Sequence, residues 1–123
     1  MGRHKETIPD AELQVLKLLW RGRPLTAREI TEALYGEPTA STVGTVQKLI
    51  QRLEKKRYVR RDRSRYVHQF TARVSQVDVA GRQLEILAEK VSDGSLAPFI
   101  THLVQARRLS KRESDEIRRL LEE

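Results

Sequence analysis

The chain reads as a mostly α-helical protein with one small β hairpin, and three observations carry that reading. Apolar residues recur at helical spacing through most of the sequence and change to alternation once, just after Arg57. Capping patterns, a Ser or Thr with an acidic residue three positions on, open several helical stretches: Thr26–Glu29, Ser75–Asp78 and Ser110–Glu113. The charge is also divided. Residues 1–72 hold 15 Lys/Arg against 8 Asp/Glu and residues 73–123 hold 9 of each, so the whole net charge of +7 belongs to the first part. Two segments are expected, 1–73 and 74–123.

The first helix is expected from Ile8 to Trp20. Leu13, Leu16, Leu19 and Trp20 form its buried face, with Val15 and Leu18 half-buried. Pro9 suits a first helical turn, where a missing N–H is no loss, and Asp10 and Glu12 lie near the positive end of the helix dipole. Arg21-Gly22-Arg23-Pro24 ends it. The Thr26 capping box starts a second helix running to about Leu34, with Ala27, Ile30, Ala33 and Leu34 inward. Tyr35 to Ala40 is expected as a turn, with Ser41 or Thr42 capping the third helix.

That third helix organises the rest. Val43, Val46, Leu49, Ile50 and Leu53 make one apolar stripe. The opposite face carries Gly44, Thr45, Gln47, Lys48, Gln51, Arg52 and Lys55, small or hydrogen-bonding near its start and cationic further on. Short and amide side chains suit base edges in a DNA major groove, and cations suit the flanking phosphates. Tyr58–Asp62 and Tyr66–Phe70 then alternate as two short strands, with Arg63-Ser64-Arg65 as the hairpin tip. From Lys48 to Arg65 there are nine basic residues, opposed by Glu54 and Asp62 alone. Helix, helix, turn, helix and basic hairpin is the order of a winged helix-turn-helix. A solvated basic face on an ordinary small domain is the plainer alternative.

Three further helices follow. One carries Val77, Ala80, Leu84, Leu87, Ala88 and Val91 on one side and is broken by Asp93-Gly94-Ser95. A short one carries Leu96, Phe99, Ile100, Leu103 and Val104, and the last turns Ile117, Leu120 and Leu121 inward. About fifty residues with Phe99 as their one aromatic make a marginal core alone. The stripes need another surface. The chain's own first domain could supply it, but that domain already closes its core, so a second copy of the chain is expected. Leu84, Leu87, Val91, Leu96, Phe99, Ile100, Leu103, Ile117, Leu120 and Leu121 are the candidate dimer interface.

Other functions fit less well. There is no cysteine, so no disulfide, thiolate nucleophile or Cys-based metal site exists. His4, His68 and His102 stand at no metal-ligand spacing, and no phosphate-binding loop or nucleophile motif appears, so no enzyme activity, metal or cofactor is expected. No apolar run approaches the roughly 20 residues of a membrane span. Met1-Gly2-Arg3-His4-Lys5 lacks the apolar segment of a secretory signal. A cytoplasmic protein without membrane insertion is expected. A membrane-surface role would need the apolar face that the third helix gives to its own core.

Three stretches resemble the penicillinase repressors and their methicillin-resistance relatives (the BlaI/MecI type). They are Ile8-Pro9-Asp10-Ala11-Glu12-Leu13-Gln14-Val15-Leu16 running on to Leu19-Trp20, Ser41-Thr42-Val43-Gly44-Thr45-Val46, and Leu49-Ile50-Gln51-Arg52-Leu53-Glu54-Lys55-Lys56. With the hairpin spacing and the helical tail, the resemblance covers nearly the whole chain. It implies a cytoplasmic homodimeric repressor on palindromic operators, with the tail as dimerisation domain. By position, Thr42, Thr45, Gln47 and Lys48 match the part of the helix that meets DNA. Gly44 and Gln47 stand where staphylococcal-type members carry basic residues, which implies a different operator preference. Arg57 stands where glycine is usual. The resemblance also implies inactivation through a membrane sensor protease pathway. The matching bond is His102–Leu103, without the Asn-Phe pair of the best-known members. The cysteine-dependent sensing of the copper-responsive branch is excluded.

The expected DNA-binding set is Thr42, Gly44, Thr45, Gln47, Lys48, Gln51, Arg52, Lys55, Arg63 and Arg65. The partner is double-stranded DNA, held by a recognition helix over about 42–56 and a wing over 59–70 so as to occlude a promoter. The other reading is a winged helix that docks an acidic protein partner or binds DNA architecturally, without operator specificity.

Overall fold

A computed structural model describes residues 7–123; the Met1–Lys5 segment, with His4, lies outside the described residues. The elements run α1 (Asp10–Leu19), β1 (Leu25–Thr26), α2 (Ala27–Tyr35), α3 (Ala40–Lys55), β2 (Val59–Asp62), β3 (Gln69–Ala72), α4 (Gln76–Ser92), α5 (Ala97–Gln105) and α6 (Lys111–Leu121). The class is the expected one, mostly helical with a small antiparallel sheet. The chain divides into two units, Met1–Leu84 and Glu85–Glu123.

In the first unit, α1 buries Glu12, Val15, Leu16 and Leu19, while Leu13, Leu18 and Trp20 pack at the edge of the core. The buried face is thus rotated from the expected one: Val15 is fully buried and Leu13 is not. Glu12 can occupy that face because Lys56 Nζ lies 2.6 Å from its Oε1. Pro9 is the N-cap residue rather than part of the first turn. In α2 the Thr26–Glu29 capping box forms in both directions, at 2.9 and 3.1 Å. Thr31 is buried in place of the expected Ala33, because its hydroxyl donates to the Ala27 carbonyl at 2.7 Å and leaves no polar group unpaired.

The third helix starts earlier than expected. Thr39, not Ser41 or Thr42, is its N-cap, and Thr39 and Thr42 form a reciprocal box in which threonine takes the usual glutamate's place. Its other end closes by a left-handed residue. Arg57 has φ 66°, which lets Tyr58 N–H reach Leu53 O at 2.9 Å and Arg57 N–H reach Glu54 O at 2.9 Å. A side chain at such a φ costs about 1–2 kcal/mol relative to glycine, so arginine at this position strains the turn.

The hairpin differs from the sequence expectation. β2 and β3 pair from Val59↔Ala72 to Asp62↔Gln69. Residues 63–68 therefore form a six-residue tip instead of a three-residue one, and Tyr66 and Val67 lie in it, exposed, rather than in a strand. β3 is central, because β1 pairs with its other edge through Leu25↔Phe70 and Thr26↔Gln69. β1 was missed: two residues are too few to show alternation. Val46, Leu49, Ile50 and Leu53 of α3 meet Val15, Leu16, Ile30 and Phe70 in the core.

The first unit extends past residue 73 into α4. Val79 joins the core, Trp20 donates its indole N–H to Val74 O at 2.8 Å, and Ile8 N–H reaches Gln83 Oε1 at 3.3 Å. Ser75 accepts from Asp78 N–H at 3.0 Å. Among the described residues only that half of the box forms, since aspartate is too short to reach back.

The second unit buries Ile86 and Ala88, whereas α5 and α6 bury nothing. In the single chain Ile117, Leu120 and Leu121 face solvent, not inward as expected, and Leu87, Val91, Leu96, Ile100 and Val104 are exposed with them. Phe99 and Leu103 are half-buried. Leu84, the last residue of the first unit, is exposed as well. Short helices with narrow stripes have too little surface of their own to cover them.

Candidate nucleic-acid interface

The exposed face of α3 presents Thr45, Gln47, Lys48, Gln51, Arg52 and Lys55, with Thr42 and Gly44 half-buried at its start. Thr42 is committed locally: its hydroxyl accepts from Thr39 N–H at 2.9 Å and donates to Thr39 O at 3.2 Å. Thr45 donates its hydroxyl proton to Ser41 O at 3.1 Å, which leaves its methyl and an oxygen lone pair outward. A Cβ built on Gly44 would meet no atom within 4 Å. Glycine is therefore not required there by the fold, and it leaves the backbone open to close approach.

The nine basic residues between Lys48 and Arg65 fall into two groups. Lys56 is tied to buried Glu12 and Arg61 to Glu54. The other seven (Lys48, Arg52, Lys55, Arg57, Arg60, Arg63 and Arg65) make no ion pair among the described residues. Exposed cations without carboxylates are available to phosphates, and they surround the small-residue face of α3 on its C-terminal and wing sides.

Between α2, α3 and the hairpin lies an open groove of about 690 Å³, with Gln47 and Gln51 along one wall and Tyr66, Val67 and His68 along the other. Arg28, in the first turn of α2, reaches the same groove. Arg28 and Tyr66 were not singled out from the sequence. Arg28 could have been, because the Thr26 box places it at a helix start. Tyr66 was hidden by its assignment to a strand. His68 is half-buried, with Nδ1 3.2 Å from Arg61 Nη1. His102 is exposed on α5.

Hydrogen bonds from Ser64, with Arg65 and Arg60 nearby, hold the Asp62 carboxyl below its ordinary value. Part of that is a backbone N–H donated at 2.9 Å, which turns the chain at the hairpin tip. The hydrogen bonds to Glu54 raise Arg61 above the ordinary arginine value, against the opposing effect of its burial. Asp62 thus shapes the tip and Glu54 holds Arg61, and among the described residues neither acid forms an ion pair with any of the seven other cations.

Sequence comparison agrees with this geometry. The model of the family described as penicillinase repressor matches residues 8–123. A penicillinase repressor of Staphylococcus aureus is 24% identical over 123 residues, covering 98% of this chain and 95% of its own. The methicillin resistance regulatory protein MecI of Staphylococcus aureus (strain N315) is 26% identical over 114 residues, 93% of this chain and 92% of its own. A penicillinase repressor of Bacillus licheniformis is 26% identical over 116 residues, 94% and 90%. With helix, turn, helix and basic hairpin assembled around an uncompensated cationic face, and a match running through both units, the chain belongs to the penicillinase repressor family, whose members are DNA-binding transcriptional repressors and not enzymes.

Proposed function

We propose that the chain works as a cytoplasmic homodimer on a palindromic operator, with one α3 in each of two successive major grooves, and represses by occluding a promoter. The observation that carries this reading is the set of seven cations that have no carboxylate partner among the described residues, around an α3 face of Thr45, Gln47 and Gln51. Lys48, Arg52, Lys55, Arg63 and Arg65 hold phosphates. Gln47 and Thr45 read base edges, the amide by a bidentate bond to adenine and the threonine methyl against thymine. Gly44 and Gln51 lie within the same footprint, and Thr42 lends its ordered backbone rather than its hydroxyl.

Residues 74–123 supply the second-copy contact in this reading, through the exposed Leu87, Val91, Leu96, Ile100, Ile117, Leu120 and Leu121, with Leu84, Phe99 and Leu103 beside them. Cleavage at His102–Leu103 by a sensor-protease pathway would cut α5 and release the operator by separating the copies. No described helix is long and apolar enough to cross a membrane.

The test is footprinting on the promoter upstream of its own gene, titrated across salt. Two-fold-symmetric protection is expected. The five phosphate-holding residues in two copies make about ten contacts, each contributing about −0.9 to the slope of log K against log salt, for a total near −9. Salt-sensitive binding with no sequence preference would overturn the operator reading and leave an architectural winged helix.

A further inference from the structure

Arg61 lies within the basic stretch, yet three of its five guanidinium N–H groups already have partners within the protein. Its Nε–H and Nη2–H donate to the two oxygens of Glu54 at 3.0 and 2.8 Å, and Nη1 donates to His68 Nδ1 at 3.2 Å. Arginine has only donors, so His68 Nδ1 is the acceptor. The guanidinium carbon lies 4.8 Å from the centroid of Phe70, a core residue paired with both neighbouring strands. Glu54 belongs to α3, Arg61 to β2, His68 to the end of the tip and Phe70 to β3. Both charged side chains are only 23% exposed. These are the side-chain hydrogen bonds that tie α3 to the hairpin among the described residues.

A glutamate near the end of a DNA-facing helix would by charge alone repel phosphate. Its bidentate bond to Arg61 gives it another use. Beyond Asp62↔Gln69 the tip has no strand pairing. Its aim therefore depends on how the base of the hairpin is fixed to α3.

We propose that Arg61 is a positioning residue: by joining Glu54 of α3 to His68 and Phe70 of the hairpin, it sets the wing's angle to the recognition helix and so which DNA sequences the protein selects. This rests on the operator-binding reading above. A wing free to swing still meets phosphates on any duplex, so non-specific binding survives its release. What is lost is the simultaneous fit of α3 in the major groove and of Arg63 and Arg65 on the backbone.

The experiment uses the full chain, the duplex it enriches from a random-sequence library, and a scrambled duplex of the same composition. Arg61→Gln and Glu54→Gln are each expected to lower the ratio of the two affinities by roughly tenfold, with the salt slope unchanged. Arg61→Lys is expected not to rescue, because an ammonium cannot reproduce the fork. A phosphate contact at Arg61 predicts otherwise: a slope smaller by about 0.9 per copy and rescue by lysine. A merely repulsive Glu54 predicts that Glu54→Gln binds both duplexes more tightly at an unchanged ratio. Either result overturns the proposal.

A second readout needs no DNA. The chain has no cysteine, so a nitroxide at Ser64→Cys reports the distance from the tip to the α3 amides by paramagnetic relaxation. The pattern is expected to weaken and spread in Glu54→Gln, and an unchanged pattern overturns the lock. If the wild-type chain enriches no duplex, the operator reading fails, and the nitroxide result decides the lock by itself.

Discussion

Glu12 is 2% exposed, and a carboxylate so placed needs its partner. Lys56 Nζ, 2.6 Å away, is that partner, and it joins the first turn of α1 to the residue capping α3. The pair therefore sets the end of α3 against the core. Lys56→Met should leave a buried charge unpaired at a cost of about 2–3 kcal/mol. This is below the range for fully buried pairs because Lys56 is itself 24% exposed and partly solvated. Urea unfolding followed by the fluorescence of Trp20, the one tryptophan, measures the change. The double variant Glu12→Leu/Lys56→Met should recover most of the loss. An equal loss in the double variant would show that packing, and not charge, holds the site.

At the scale of elements, α3 carries a residue that its own stability does not call for. Gly44 has helical backbone and empty space around it, so Gly44→Ala should stabilise the chain by about 0.5–1 kcal/mol through helix propensity alone. If α3 enters the groove by this face, the same methyl should weaken specific DNA binding while the fold gains. Thermal unfolding and operator affinity moving in opposite directions would mark Gly44 as a residue kept for contact. Both moving upward would remove it from the interface. Much of this element was legible beforehand, since its apolar stripe and its graded opposite face are local patterns. Its start was misjudged because a Thr–Thr capping box lacks the acidic residue that marks the usual one. The hairpin was harder. Alternation in Tyr66–Phe70 suggested a strand from Tyr66, but the ladder starts at Gln69, where β3 has a neighbour on each side. Pairing partners far apart in sequence decide such a boundary. For the same reason the basic count from Lys48 to Arg65 could not tell the seven available cations from Lys56 and Arg61. Their carboxylates come from α1 and α3, and only the folded chain brings them within reach.

For the whole molecule, the contrast between the two units is the informative quantity. The first closes a core around Leu16, Ile30, Ile50 and Leu53, whereas α5 and α6 of the second bury no residue at all. Exposed stripes of this kind on helices are stable in water when a second surface covers them, and a copy of the same chain offers a self-complementary one. If two copies hold one operator, dimerisation and DNA affinity must fail together. Ile100→Asp with Leu120→Asp places charge on both exposed stripes and changes no residue of the first unit. Sedimentation at micromolar concentration should then report a monomer, while Trp20 fluorescence stays as in the parent because its indole is held by Val74 within the first unit. On operator DNA the salt slope should fall from about −9 to about −4.5, one copy's share of phosphate contacts, and protection should shrink to a half-site. A variant that is monomeric yet keeps the full slope would mean that the DNA itself assembles the two copies. A variant that stays dimeric would move the interface off these stripes.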